Sequence, residues 1–351
     1  MASKIKKPKP SQSNSMKSKS PMLKFLWGPA IAVFIIAYLF FHRDYFLSSN
    51  PNDLSTYSPA DAFKKFLIEK RIHFQEKMCS PQTNECFKIQ DVVFEREGKL
   101  GVDRNMMIGD TLYSFSAAAL IVPQDLTEEN MDMKKWKINK RILISGYGKV
   151  MVGFVFAMEG LKYISSDPQN VLMIGLGGGV MTNFLSTIPN AMLNITTVEL
   201  DPTVRDVAVK WFELVEDDEH TVIIGDGAKF ITDEAKKGSK YKAIFLDACY
   251  TVCPAKVFLD SNVVADTARI LDDNGVLAIN VLTEMDKRQE QSDNILKLYK
   301  TQFKSCFLFY IRAQQVLLCS HRPGWTLEEH PDNFMEKLKE VDQNFDFNFT
   351  G

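Results

Sequence analysis

The chain contains no internal repeat, and none of its six cysteines falls in a C-x-x-C pair. The first absence removes solenoid and propeller architectures. The second argues against a structural zinc site. Beyond residue 46 there is also no excess of positive charge. Residues 1–46 hold eight of the 42 Lys and Arg but one of the 44 Asp and Glu, which leaves the body at a formal −9. A body of that sign lacks the clustered cations that phosphate contacts need, so no nucleic-acid partner is expected. With 351 residues there is room for one large domain plus an appendage, or for two domains.

What is present begins with a basic tail. Residues 1–22 are mainly Lys, Ser and Pro, with little to bury, and are predicted to be disordered. Residues 23–42 contain an uncharged run from Phe25 to Phe41, with Trp27 and Tyr38 near its ends. Its length and aromatic ends predict a transmembrane helix. A cleaved signal peptide or a buried core helix is the alternative, although no small-x-small site follows the run. Seven lysines precede the run, so the charge bias keeps the N-terminus cytosolic and places the body in a lumen or outside the cell. The triplets Asn194-Ile195-Thr196 and Asn348-Phe349-Thr350 are glycosylation acceptors in sequence. The cysteines fall into close pairs, Cys79/Cys86, Cys249/Cys253 and Cys306/Cys319. Such pairing suits an oxidising compartment, with reduced, buried thiols as the alternative.

Residues 43–84 read as a polar linker followed by an amphipathic helix, which starts at Ser58-Pro59 and carries Phe63, Phe66, Leu67 and Phe74 to about Lys77. Residues 85–145 turn toward alternation and form a small β-rich subdomain. Its predicted strands are Phe87–Ile89, Val92–Phe94, 111–122 and Ile142–Ile144. Residues 146–325 alternate apolar strands with helices, the pattern of a doubly wound, mostly parallel α/β sheet. Residues 326–351 are a C-terminal helix and tail.

The third segment is organised around Val171 to Asp201. A short apolar strand runs into Gly175-Leu176-Gly177-Gly178-Gly179, then a helix, then a second strand carrying Glu199 at its end. Glycines let the backbone approach a ligand, and a carboxylate about twenty residues on can hold a ribose. Asp226-Gly227 follows the third strand and Asp247 ends the fourth. Ligands of open α/β sheets lie beyond the carboxyl ends of the strands. The three acids and the glycine loop are therefore predicted to converge on one nucleoside-sized crevice, with Asp226 reaching an adenine amino group.

The segments IGLGGG, TTVELDPTV, IIGDGAKFI and YKAIFLDACY resemble the successive motifs of the spermidine-synthase-like branch of the class I methyltransferase fold. The chain is also similar to the C-terminal domain of the animal methyltransferase-like proteins that modify elongation factor 1-alpha. The resemblance covers roughly residues 140–320 and implies a seven-stranded sheet and S-adenosylmethionine, or its decarboxylated form, as cofactor. It implies that Gly175, Gly177, Gly178 and Gly179 line the cofactor, Glu199 its ribose, and Asp226 and Gly227 its adenine. Asp247 matches the first acid of the D-S-S-D segment of polyamine synthases, which serves amine deprotonation there. Here the segment reads Asp247-Ala248-Cys249-Tyr250, and Tyr147-Gly148-Lys149 stands where those enzymes carry Tyr-Gln-Glu or Tyr-His-Glu.

These residues lead to a membrane-anchored S-adenosylmethionine-dependent methyltransferase. Asp247 and Tyr147 would position or deprotonate an amine on a protein or small molecule. A polyamine aminopropyltransferase is the second reading, disfavoured by the missing second acid. A non-catalytic nucleoside-binding or interaction module is the third.

Overall fold

The computed structural model describes residues 59–351 except 110, 112, 113, 251, 312, 313 and 330. The expected disordered tail and transmembrane helix lie outside the described residues. Among those described, no helix is long and apolar enough to cross a membrane.

The larger sheet has seven strands: β5 (Gln169–Ile174), β6 (Leu193–Glu199), β7 (His220–Ile224), β8 (Tyr241–Leu246), β9 (Leu271–Val281), β10 (Ser305–Ile311) and β11 (Gln314–Ser320). Their spatial order is β10-β11-β9-β8-β5-β6-β7. β5 to β9 pair in parallel, while β11 runs antiparallel to both β9 and β10. This is the expected mostly parallel seven-stranded architecture. The strand order reverses at β5, which pairs with β6 on one side and β8 on the other.

Helices cover both faces, which is why Val171–Ile174 is apolar without alternation. On one face lie α2 (Gly146–Ala157), the short α3 (Val180–Leu185) and α8 (Pro331–Phe345). Phe154 and Val155 of α2, Phe184 and Phe334 form the core with Met173 and Phe245. On the other face α5 (Gly227–Lys237), α6 (Ser261–Ile270) and α7 (Arg288–Tyr299) bury Ile231, Val264 and Ile295 against Leu172, Ile244 and Leu277. α4 (Pro202–Phe212) packs Val207, Trp211 and Phe212 against a second, smaller sheet.

That smaller sheet is antiparallel, in the order β1 (Ile72–Cys79), β2 (Cys86–Arg96), β3 (Lys99–Ile108), β4 (Ser114–Ala119). It corrects four expectations. The helix α1 (Pro59–Glu69) stops eight residues before Lys77, and 72–79 is a strand. Arg71 takes a positive φ of 33° that breaks the helix, and Phe74, the last residue assigned to the helical face, is 57% exposed on an edge strand. The β-rich unit therefore starts at 72 rather than 85. Lys99–Ile108 is a strand that the periodicity did not mark, and Ile142–Ile144 is irregular rather than extended into a sheet.

All three cysteine pairs are disulfide-bonded. Cys79 and Cys86 are register partners across β1 and β2, as are Cys306 and Cys319 across the β10–β11 hairpin. Cys249–Cys253 closes the loop that follows β8.

Candidate active site

The glycine loop joins the end of β5 to α3, and contacts from two sides hold it. Gly175 has φ +92°, and a Cβ there would lie 2.4 Å from the carbonyl oxygen of Asp247. The ends of β5 and β8 thus meet at a position only glycine can fill. Gly177 has φ +55°, and its Cβ would lie 2.6 Å from Ser116 Oγ on β4. The following amide, Gly178 N–H, donates to that same hydroxyl at 2.9 Å. The small sheet is therefore bonded directly to the loop. Gly179, also at positive φ, starts α3.

Glu199, at the end of β6, points back at this turn. Its Oε2 accepts from Leu176 N–H and its Oε1 from Asp201 N–H, both at 2.9 Å. Burial pushes its pKa up, against the pull of these backbone amides. Asp201 is the N-cap of α4, accepting from Thr203 N–H, and its other oxygen takes the Thr83 hydroxyl.

Asp226 caps α5. Oδ1 accepts from Ala228 N–H at 2.8 Å and Lys229 N–H at 3.1 Å. Its second oxygen takes no hydrogen bond from the described residues. Gly227 packs flat against Ile174, whose Cγ2 would lie 2.6 Å from a Cβ. Leu200 is 65% exposed beside Glu199, and Ile224, two residues before Asp226, is also exposed.

Asp247 is the most constrained acid. Tyr147 Oη donates to its Oδ2 at 3.0 Å, and Asn280 Nδ2 to its Oδ1 at 2.8 Å. Tyr147 sits in the first turn of α2, where Ser145 caps the helix through Gly148 N–H. Burial lifts the Asp247 pKa to about 6, with the Asn280 and Tyr147 hydrogen bonds holding it from rising further. Burial and the Asp247 charge push Tyr147 well above the ordinary tyrosine range, so it remains a proton donor.

A cavity of about 740 Å³ lies between the two sheets, within the range of small-molecule sites. Its walls include Asp247, Tyr147, Asn280, Gly177, Ser116 and Asp103, and the Cys249–Cys253 bridge closes one side. The structure thus brings Tyr147, Asp247 and Gly177 onto one cavity. Gly175 and Glu199 lie at the glycine turn without lining it, and Asp226 and Gly227 belong to the open ends of the neighbouring strands. Sequence reasoning missed Asn280 and Asp103. Asn280 had a signal, since one amide interrupts the apolar run Val276–Val281 of a strand covered on both faces.

Residues 148–316 match the spermine/spermidine synthase domain. The chain is 29% identical over 220 residues to the eEF1A lysine and N-terminal methyltransferase of Danio rerio, covering 59% of this chain and 31% of that protein. It is 28% identical over 146 residues to the polyamine aminopropyltransferase of Vibrio vulnificus, covering 41% of this chain and 46% of that enzyme. The chain therefore spans less than half the length of either relative. Among solved structures, a probable spermidine synthase from Corynebacterium glutamicum shares the fold, with a TM-score of 0.54 over 76% of this chain and 85% of that one, at 12% identity.

Proposed function

We propose that this chain, which carries a spermidine-synthase-like domain of the class I methyltransferase fold, is an S-adenosylmethionine-dependent methyltransferase acting on an amine. The observation that carries the reading is Asp247, oriented by two hydrogen-bond donors on the cavity wall next to the glycine turn.

The residues fit the cofactor. The turn at Gly175 and Gly177 admits no side chain, because the Asp247 carbonyl and Ser116 Oγ stand where a Cβ would lie, and Gly177 lines the cavity. Glu199 accepts the Leu176 and Asp201 amides and has acceptor capacity left for a ribose hydroxyl. The uncommitted oxygen of Asp226 is available to an adenine amino group, with Leu200 and Ile224 as apolar neighbours. The cofactor supplies a methyl group on a positively charged sulfur. Asp247 accepts the proton that the amine loses as its nitrogen takes the methyl, and Tyr147 and Asn280 keep the carboxylate aimed. Holding the amine in line with the methyl contributes most of the acceleration.

The loss of the second acid favours methyl over aminopropyl transfer: Tyr250 occupies that position and is 84% exposed. The domain match supports aminopropyl transfer as the second reading. The similarity to a methyltransferase of lysine and N-terminal amines supports a protein amine as acceptor. The uncharged run within residues 23–42, the lysines before it and the three disulfides support a single-pass protein with its body in an oxidising lumen or outside the cell.

Calorimetry on the full chain in detergent tests the cofactor. Binding of S-adenosylmethionine is expected, weakened roughly tenfold to a hundredfold by Glu199→Ala or Asp226→Ala, as loss of one or two charge-assisted hydrogen bonds implies. No binding at millimolar ligand would leave only a non-catalytic module. Conversion of decarboxylated cofactor and putrescine to a longer polyamine would favour the second reading.

A further inference from the structure

We infer that Cys249 and Cys253 are positioning residues: their bridged sulfurs, which only accept hydrogen bonds, keep the Asn280 amide turned N–H first toward Asp247. The inference rests on reading Asp247 as the group that receives the amine proton, and it adds the device that aims it.

Asn280 stands near the end of β9 and is 2% exposed. Its Nδ2 carries two hydrogens. One goes to Asp247 Oδ1 at 2.8 Å. The other faces the bridge, with Cys253 Sγ at 3.6 Å and Cys249 Sγ at 3.8 Å. The amide oxygen has no hydrogen-bond partner, so every contact that decides which way the amide lies is on the nitrogen side. The two ends of an amide are nearly alike in size, and its orientation follows from what its neighbours donate or accept.

The ionised carboxylate alone holds the N–H toward itself. The bridge matters once Asp247 has taken a proton, because the acid is then a donor and favours an amide turned oxygen first. That turn sets the amide oxygen against two sulfurs that have no hydrogen to offer, and the bridge therefore opposes it. A pair of thiols does not, since the S–H of Cys253 can donate to the turned oxygen. Cys249 Sγ also lies 3.9 Å from Asp247 Oδ1, where in the bridged form it donates nothing.

The bridge is placed for this role. Cys253 exchanges both backbone hydrogen bonds with Leu282, at 2.8 and 3.0 Å, just beyond Asn280, and is 3% exposed. Cys249 is half-buried on the cavity wall. Neither Cys79–Cys86 nor Cys306–Cys319 lines the cavity. The ionisable groups that share the wall with Asp247 are Tyr147 on α2, Tyr250 after β8 and Asp103 on β3, and among the described residues no Lys, Arg or His joins them.

The test follows the carboxyl stretch of Asp247 in an infrared pH titration of the full chain, assigned by difference from Asp247→Asn. The midpoint of the bridged chain is expected near 6. In the Cys249→Ala/Cys253→Ala double variant it should move up by about one pH unit, the tenfold equivalent of one hydrogen bond. Dithiothreitol should move it the same way, reversibly. One reagent thiolate attacks Cys249 Sγ, the S–S bond breaks and Cys253 leaves and takes a proton. The second reagent thiol then displaces Cys249, leaving two protein thiols and oxidised reagent. Alkylation mapping reports which bridge has opened. Cys79→Ala/Cys86→Ala should leave the midpoint in place, and its response to dithiothreitol intact. A midpoint that stays near 6 without the Cys249–Cys253 bridge, or that moves as far in Cys79→Ala/Cys86→Ala, would overturn the proposal. The titration uses neither cofactor nor acceptor, so failure of methyl transfer shows separately, and thermal melting confirms that each variant folds.

Discussion

Asp247 shows how two neutral donors set the behaviour of one acid. Tyr147 and Asn280 each bond one oxygen, and both favour the charged form. If the ionised carboxylate accepts the amine proton, kcat/KM falls as pH drops through about 6. Removing Asn280 takes away a contact that lowers the pKa, so Asn280→Ala should move this acid limb to higher pH. It should also reduce kcat by about tenfold to a hundredfold, the value of one hydrogen bond to a charge. A pH–rate profile of the variant checks both, and an unmoved limb would remove Asn280 from the mechanism. At this scale the sequence pointed to Tyr147 and Asp247, which share the cavity wall, and to Glu199 and Asp226, which do not line it, because each sits at a strand or helix end next to a recognisable motif. Asp103 and the Asn280 contact depend on which face of a strand meets a neighbouring sheet, and short-range pattern does not encode that.

The strand β3 shows why an element can hide. Its inward positions include Arg104, so the alternation that marks a half-buried strand is broken by a charge. The guanidinium is buried because Asp91, on the adjacent strand, receives it with bonds of 2.8 and 2.9 Å. Removing one partner of such a pair leaves an uncompensated charge in the core. Arg104→Met is expected to cost about 3–5 kcal/mol, and the double change Asp91→Leu with Arg104→Met to recover most of it. Chemical denaturation of the parent chain and these two variants measures this. If the double variant is as unstable as the single one, the pair is not the cause. The helix that ends at Glu69 failed to read correctly for a related reason. Phe74 continues the spacing of Phe63 and Phe66 by coincidence, while facing solvent on an edge strand.

At the scale of the molecule, the parallel sheet was legible because strands and helices alternate with few interruptions from Val171 onward. The relation of the two sheets was not, since no local signal says that β4 reaches the glycine loop. The orientation of the chain relative to a membrane also belongs here. Asn194 and Asn348 are both exposed. In cells the chain is expected to lose mass on glycosidase treatment, less so after Asn194→Gln or Asn348→Gln. Protease added to intact vesicles should leave the body uncut. Digestion of the body from the cytosolic side would reverse the placement.

The hydroxyl of Ser116 fastened to the amide of Gly178 has a practical consequence for where this protein can be divided. The matched stretch, 148–316, stops short of Ser116 and Asp103, so expressed alone it would have one wall of the cavity missing and a bare amide where the turn was clasped. In the proposed mechanism the chemistry therefore depends on the docking of the amino-terminal sheet. Any partner or substitution that pries that sheet loose should silence the chemistry without touching an acid.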